Sequence, residues 1–326
     1  MTVFADVVDG ALEASVVGSF TRMGLVVRRR LEHWAPFARV EGRVVVITGG
    51  TSGLGLETAR TLASLGATVE IVARNEAKAR ATCAELRQST GSDRVDYVVA
   101  DTGDLSAVRD AAITLTARHR AIDVLIHNAG ALDDMRGETA DGIEQTIASH
   151  VLGPFLLTTL LLPALRAALA ARVLWVASGG MYSEPLNVDT LEMDAARYDG
   201  VTAYARAKRA QVTLAQMWAQ RLKPERITVE SMHPGWADTP GVARSLPTFR
   251  RVVGKLLRSP AEGADTLIWL AVDEHEAVAH TGALWLDRRP RALHRTARTR
   301  ASDTEPERAK LWAWAVSRSG AVDPFV

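Results

Sequence analysis

This sequence predicts an α/β fold: one doubly wound domain with a parallel sheet of about seven strands, helices on both faces, and a helical N-terminal extension. Three observations predict it. Short β-branched runs alternate with amphipathic stretches between residues 43 and 286. The first run ends in a glycine-rich turn that opens a helix. No internal repeat or linker divides the chain, so residues 41–290 read as one domain between an extension (1–40) and a tail (291–326).

The elements follow in order. Val44-Val45-Val46-Ile47 is an apolar run suited to a buried strand, and Thr48-Gly49-Gly50-Thr51-Ser52-Gly53-Leu54-Gly55 follows it directly. Leu54, Thr58, Leu62 and Leu65 then recur at helical spacing until Gly66, a C-terminal stop. Further strands are expected at 68–72, 97–100, 124–127, 173–177, 227–231 and 283–286, the last closing the sheet. Helices are expected at 76–88, 105–118, about 141–170 and 202–222. Ser259-Pro260-Ala261-Glu262 has the N-cap, first-turn proline and reciprocal acid of a strong helix start.

Composition narrows the function. The chain has 326 residues, 47% of them hydrophobic, and a net charge of +1, so it can bury a sizeable core and has no basic bias towards nucleic acid. A single cysteine, Cys83, excludes an internal disulfide and a Cys-based zinc site. The histidines show no metal-ligand spacing, so no metal is expected; all but His150 read as structural or solvated.

The chemistry-bearing signals are two. Strand, glycine turn and helix together form a phosphate-binding context, because glycines admit a pyrophosphate close to the backbone and the helix start offers free N–H groups. An ordinary tight turn is the plain alternative. The second signal is Tyr204-Ala-Arg-Ala-Lys208. The chain has 34 Arg and 5 Lys, so a lysine four residues after one of four tyrosines departs from its habit. At that spacing on a helix the phenol and ammonium are neighbours, and a nearby cation is expected to lower the Tyr pKa towards working pH. Tyr182 and Tyr198 have Leu186 and Thr202 at the same offset and no such partner. Chance placement accounts for the pair alone less well once the other motifs are counted.

With Asn128-Ala129-Gly130 and Ser178 each after a strand, the pattern Thr48-Gly49-x-x-x-Gly53-x-Gly55 and Tyr204-x-x-x-Lys208 resembles the short-chain dehydrogenase/reductase superfamily over roughly residues 40–290. Ser178-Gly179-Gly180-Met181, the stretch 231–242 and Ser19-Phe20-Thr21-Arg22-Met23-Gly24 are similar to its branch called SDR family member 12, and retinol-dehydrogenase-like members are more distant relations. The resemblance implies a Rossmann-type fold and an oxidoreductase. It assigns catalysis to Ser178, Tyr204 and Lys208. It assigns cofactor binding to Thr48, Gly49, Thr51, Ser52, Gly53, Leu54, Gly55, Arg74, Asp101, Asn128, Ala129, Gly130, Pro234, Gly235 and Thr239, and again to Tyr204 and Lys208. Asn128 would tie the cofactor loop to its neighbouring strand, Asp101 would contact adenine or cap a turn, and Thr239 would meet the nicotinamide amide.

In this family the end of the second strand reads the adenosine ribose. Here Arg74 stands there with no acid, and its guanidinium suits a 2′-phosphate, which favours NADP(H) over NAD(H). His150 replaces the asparagine that the family uses to hold a proton-relay water. Apolar positions at Met181, Leu186, Met193, Leu246, Phe249, Val252 and Val253 suggest a lipophilic alcohol or carbonyl substrate. A nucleotide-binding sensor or scaffold that has lost turnover is the alternative.

The flanks carry further expectations. Residues 1–40 contain no apolar span of about 18 residues and no signal-peptide pattern, so a cytoplasmic location is expected, with an amphipathic helix packed on the domain or resting on a membrane surface. The apolar run 155–171 reads as a buried helix, and the resemblance adds a homodimer contact there. The Arg-rich 288–300 reads as a solvated segment, and Trp312 and Trp314 as anchors that dock the tail.

Overall fold

The computed structural model describes residues 3–326; positions 1 and 2 of the extension lie outside the described residues. Eight strands form one sheet: β1 (Val44–Thr48), β2 (Thr68–Ala73), β3 (Val95–Val99), β4 (Val124–His127), β5 (Arg172–Val176), β6 (Thr228–Met232), β7 (Leu284–Leu286) and β8 (Arg289–Arg291). Their order is β3-β2-β1-β4-β5-β6-β7-β8, parallel except for the antiparallel pair β7-β8. The chain reverses direction across the sheet between β1 and β4, and in such folds the crevice beyond the strand ends at that switch point receives the ligand.

Two apolar layers hold the helices on. One face packs Leu105–Arg118, Gly153–Arg166, Gly200–Leu222 and the C-terminal helix Glu305–Ser319; the other packs Gly53–Ser64, Glu76–Thr90 and Pro260–Val272. Val45, Val46 and Ile47 are buried on both sides, which is why β1 reads as a continuous apolar run rather than an alternating one. Cys83 is buried, and burial pushes its thiol up to about 11, in keeping with a packing role. The helix start at Ser259 is capped reciprocally: its hydroxyl accepts the Glu262 N–H at 3.1 Å, and its own N–H donates to Glu262 Oε2 at 2.9 Å.

Three expectations need correction. The helix expected at about 141–170 begins only at Gln145, because residues 138–144 form a tight turn closed by Thr139 N–H to Ile143 O. Its first turns then widen into a π-turn at Ala148–Leu152 before Gly153–Arg166. Pro154 has no N–H to donate to the carbonyl of residue 150, so an α-turn cannot close there.

Second, the sheet does not end at 286. Asp287 and Arg288 both have positive φ (56° and 55°), the geometry of a two-residue hairpin turn that launches β8. Third, Arg288, Arg289 and Arg291 are not solvated. Arg288 pairs with Asp265 at 2.8 Å, Arg289 with Glu32 at 2.5 Å and Asp6 at 2.9 Å, and Arg291 with Asp9 at 2.7 Å. Asp265 belongs to the helix Pro260–Val272, but Asp6, Asp9 and Glu32 come from the extension, which folds as Val3–Glu13, Val16–Phe20 and Arg22–Glu32 and lies against this hairpin. At the other end Trp312 is buried, with ring centroids 5.1 Å from Phe155 and 5.0 Å from Trp218, so the C-terminal helix covers the apolar helix Gly153–Arg166. The continuous helical run Gln145–Arg166 that contains it is long and apolar enough to cross a membrane by length and composition, and 78% of its apolar window is buried in the fold.

Candidate active site

The cradle at the end of β1 is held by hydrogen bonds that the sequence order explains. Thr48 Oγ1 accepts the N–H groups of Asn128 (3.1 Å) and Ala129 (3.0 Å), and donates to Ile126 O at 3.3 Å. Asn128 Nδ2 donates to Thr48 O at 3.0 Å and Gly49 O at 3.1 Å, so this asparagine ties the glycine turn to β4. Gly49 has φ 72°, and a Cβ there would come within 2.8 Å of Ala129 Cα; a Cβ on Gly55 would collide with Asn128 and Gly49 O. Ser52 caps the helix Gly53–Ser64 in extended conformation without closing its side chain on a helix N–H, leaving donors at the helix start for an anion.

The other sequence-predicted positions arrive from separate elements. Thr239 caps Pro240–Ser245, accepting the Val242 N–H at 3.3 Å, and stands beside Gly53. Thr51 lies on the same half-exposed turn, whereas the Leu54 side chain packs towards Gly263, so only its backbone faces the cradle. Arg74 follows β2 with its side chain 70% exposed and its Nη1 3.8 Å from Asp101 Oδ2. Asp101 Oδ1 accepts the Gly103 N–H at 2.9 Å, a turn role. Gly130 abuts the His150 ring, and Pro234 O accepts from Arg258 Nη1 at 3.3 Å.

Ser178, just after β5, and Tyr204, in Gly200–Leu222, meet at the mouth of the crevice. Ser178 Oγ accepts the Gly180 N–H at 3.3 Å and stands near enough to the Tyr204 phenol to favour its ionised form. Lys208, one turn on, is buried. Its Nζ donates to Val176 O (2.7 Å) and Gln211 Oε1 (2.9 Å) and stands 5.6 Å from the Tyr204 ring centroid. Here the expected electrostatics is reversed. Burial pushes the Tyr204 phenol up, with Ser178 opposing it, and burial pulls the Lys208 ammonium down to about 7. Spacing placed the two groups correctly, but desolvation of both outweighs their mutual effect. The rival phenols are occupied elsewhere: Tyr182 donates to Ala292 O at 2.8 Å, and Tyr198 bonds Thr146 and Asp133 O.

His150 sits in the π-turn, edge-on to the Tyr204 ring at 5.3 Å and 88°. Its Nε2 is 2.8 Å from Ala131 O and 3.1 Å from Ala131 N, so the imidazole ties its turn to the loop after β4. Burial, with Lys208 adding to it, holds the ring down at about 3, so it is neutral at physiological pH. Residues missed from sequence are Gln211, which its i+3 offset from Lys208 could have revealed, and Phe20, for which no local signal exists. Of the apolar positions expected at the substrate mouth, Met181 and Leu186 are buried in the body of the fold. Met193, Leu246, Phe249 and Val253 remain partly exposed and Val252 is 79% exposed.

The short chain dehydrogenase family model matches residues 43–248, more than half of the chain. The protein belongs to the short-chain dehydrogenase/reductase family. Human dehydrogenase/reductase SDR family member 12 is 38% identical, covering 84% of this chain and 85% of its own. Mouse polyprenol dehydrogenase is 36% identical, covering 86% and 84%. A solved structure of an uncharacterised protein from Mycobacterium paratuberculosis is 28% identical with a TM-score of 0.71, covering 89% of this chain and 99% of that one. As a short-chain dehydrogenase/reductase the protein is an oxidoreductase of CH–OH or C=O groups that binds NAD or NADP. The cradle fits such a dinucleotide: Gly49 and Gly55 let the turn close onto Asn128 and Ala129 without side chains of their own, and the helix start at Ser52 offers backbone donors that no side chain caps.

Proposed function

We propose that the protein is an NADP(H)-dependent oxidoreductase that interconverts a lipophilic alcohol and its carbonyl, with Tyr204 as general acid/base. The observation that carries this reading is Lys208, buried one turn from Tyr204 on the same helix with its Nζ 5.6 Å from the phenol ring centroid, and Ser178 close enough to favour the ionised phenol. NADP(H) would supply or accept the hydride. Thr48, Gly49, Thr51, Ser52, Gly53, Leu54 and Gly55 would seat its pyrophosphate; Asn128, Ala129 and Gly130 would border its adenosine ribose, with Asp101 towards the adenine; and Pro234, Gly235 and Thr239 would flank the nicotinamide. In reduction Tyr204 gives its proton to the carbonyl oxygen, Ser178 donates a hydrogen bond to the same oxygen, and a charged Lys208 steadies the phenolate left behind. In oxidation each proton moves the other way.

The cofactor preference rests on Arg74, which is exposed and shared only loosely with Asp101 at 3.8 Å, so it can turn to a 2′-phosphate. Arg74→Ala is expected to weaken NADPH by about tenfold and leave NADH unchanged in a fluorescence titration. Unchanged NADPH affinity would remove Arg74 from the site. The lipophilic substrate class is supported by Phe249, whose ring stands 5.1 Å from that of Trp236 next to Gly235, and by the name of the polyprenol relative.

The division into extension (1–40), catalytic domain (41–290) and tail (291–326) belongs to the same proposal, as does a cytoplasmic location with peripheral membrane contact. The helix Val3–Glu13 supports that contact because its polarity is inverted. Asp9 is buried against Arg28 and Arg291, whereas Val3, Phe4 and Val7 are 81%, 66% and 66% exposed. The helix through which the resemblance implies pairing of two copies lies under the chain's own C-terminal helix, and every group named in the site comes from one chain.

A further inference from the structure

The junction between the second and third helices of the extension reaches the candidate active site. Phe20 is buried, with its ring edge-on to His233 at 4.4 Å and 88°, and to Trp236 at 6.0 Å and 83°. It also borders the residue next to Ser178: a Cβ on Gly179 would fall 2.8 Å from Phe20 Cε2 and 3.0 Å from His233 Nε2. Only a glycine lets the catalytic strand end approach this ring so closely. Backbone bonds join the same segments. Phe20 O accepts the Trp236 N–H at 2.7 Å. Arg258, 1% exposed, donates to Ser19 O (2.9 Å), Thr21 O (3.3 Å) and Pro234 O (3.3 Å). Its partner Asp287 also receives Arg28 from the third helix at 2.6 Å.

We propose that residues 19–21 are a positioning element of the active site, with Phe20 fixing Ser178-Gly179 on one side and the 233–236 segment on the other. The inference rests on the roles assigned above to Ser178, Pro234 and Gly235. The extension is then a working part of the enzyme as well as a surface layer. Phe20 touches both segments that flank the nicotinamide side of the crevice, so loss of its ring lets both shift. A displacement of about 1 Å at such groups can lower turnover by roughly a hundredfold.

The test uses the full chain, with Phe20→Ala, Phe20→Leu and, as control, Leu25→Ala, a truncation at a fully buried residue of the same extension. NADPH affinity is read by fluorescence titration below each Tm, and kcat is read with decanal as the carbonyl probe. Phe20→Ala is expected to raise the NADPH Kd and lower kcat by about tenfold each, and Phe20→Leu by about threefold, whereas Leu25→Ala lowers Tm and leaves Kd within about twofold of wild type. If Phe20→Ala does not fold, the leucine variant decides. Phe20 variants that match Leu25→Ala in NADPH affinity would overturn the proposal. Absence of carbonyl turnover in the wild type would instead count against the functional reading, and the NADPH titration would still decide this one.

Discussion

Lys208 lies one turn from Tyr204, yet its Nζ is directed at Val176 O and Gln211 Oε1. Burial brings the ammonium down to about 7, so in the free protein its charge is present below that pH and lost above it. The charged form is the one that stabilises a phenolate on Tyr204. Carbonyl reduction, measured as kcat/KM, is therefore expected to fall as pH rises through about 7. Lys208→Arg keeps its charge throughout that range but cannot reproduce the compact contacts to Val176 O and Gln211. The expected result is a rate lower by roughly ten- to a hundredfold and a profile without the inflection. An inflection that survives in the variant would assign it to another group. His150 has no part in this titration, because its buried ring stays neutral and is fastened to Ala131.

The β7-β8 hairpin is the element that joins the extension to the sheet. Its turn places Asp287 and Arg288 in left-handed conformations that favour Gly or Asn, so side-chain contacts must hold them. Asp287 is fully buried and accepts from Arg28 and from both Nη atoms of Arg258, while Arg288 pairs with Asp265 and stacks 4.6 Å from the Trp34 ring. Asp287→Asn keeps the shape and the tolerance for positive φ but leaves buried Arg258 without its counter-ion, while Arg28 keeps Asp9 and Glu13. Breaking a buried pair in this way costs about 3–5 kcal/mol, which urea unfolding would measure. A loss below about 1 kcal/mol would mean that water screens the cluster. Because Arg258 also holds Ser19, Thr21 and Pro234, the variant tests how far the extension and the catalytic domain unfold as one unit.

At the scale of the whole molecule, what could be read in the sequence was what is local. The turn from Thr48 to Gly55, the capped helix at Ser259 and the Tyr204–Lys208 spacing each lie within one element, where periodicity and cap chemistry apply directly. Arg289-Pro290-Arg291 gave no strand signal, because its arginines are matched by Asp6, Asp9 and Glu32, more than 250 residues away. The pKa order of Tyr204 and Lys208 was misread for a related reason. Charge proximity follows from spacing, but desolvation depends on what the rest of the fold packs around the pair. The same long-range pairing turns Asp9 inward and leaves Val3, Phe4 and Val7 outward. Phe4→Ser with Val7→Ser is expected to reduce co-sedimentation with vesicles of phosphatidylcholine and phosphatidylserine by about tenfold. Equal binding by the variant would place membrane contact elsewhere or nowhere.

The central claim is that Tyr204 moves the proton while NADP(H) moves the hydride. Single-turnover oxidation of bound NADPH, across a panel of lipophilic aldehydes and ketones, tests it most directly when wild type and Tyr204→Phe are compared. Turnover with at least one carbonyl is expected in the wild type, a loss of about a hundredfold or more in the variant, and an NADPH affinity that stays within about twofold. A Tyr204→Phe enzyme that oxidises NADPH as fast as the wild type would contradict it.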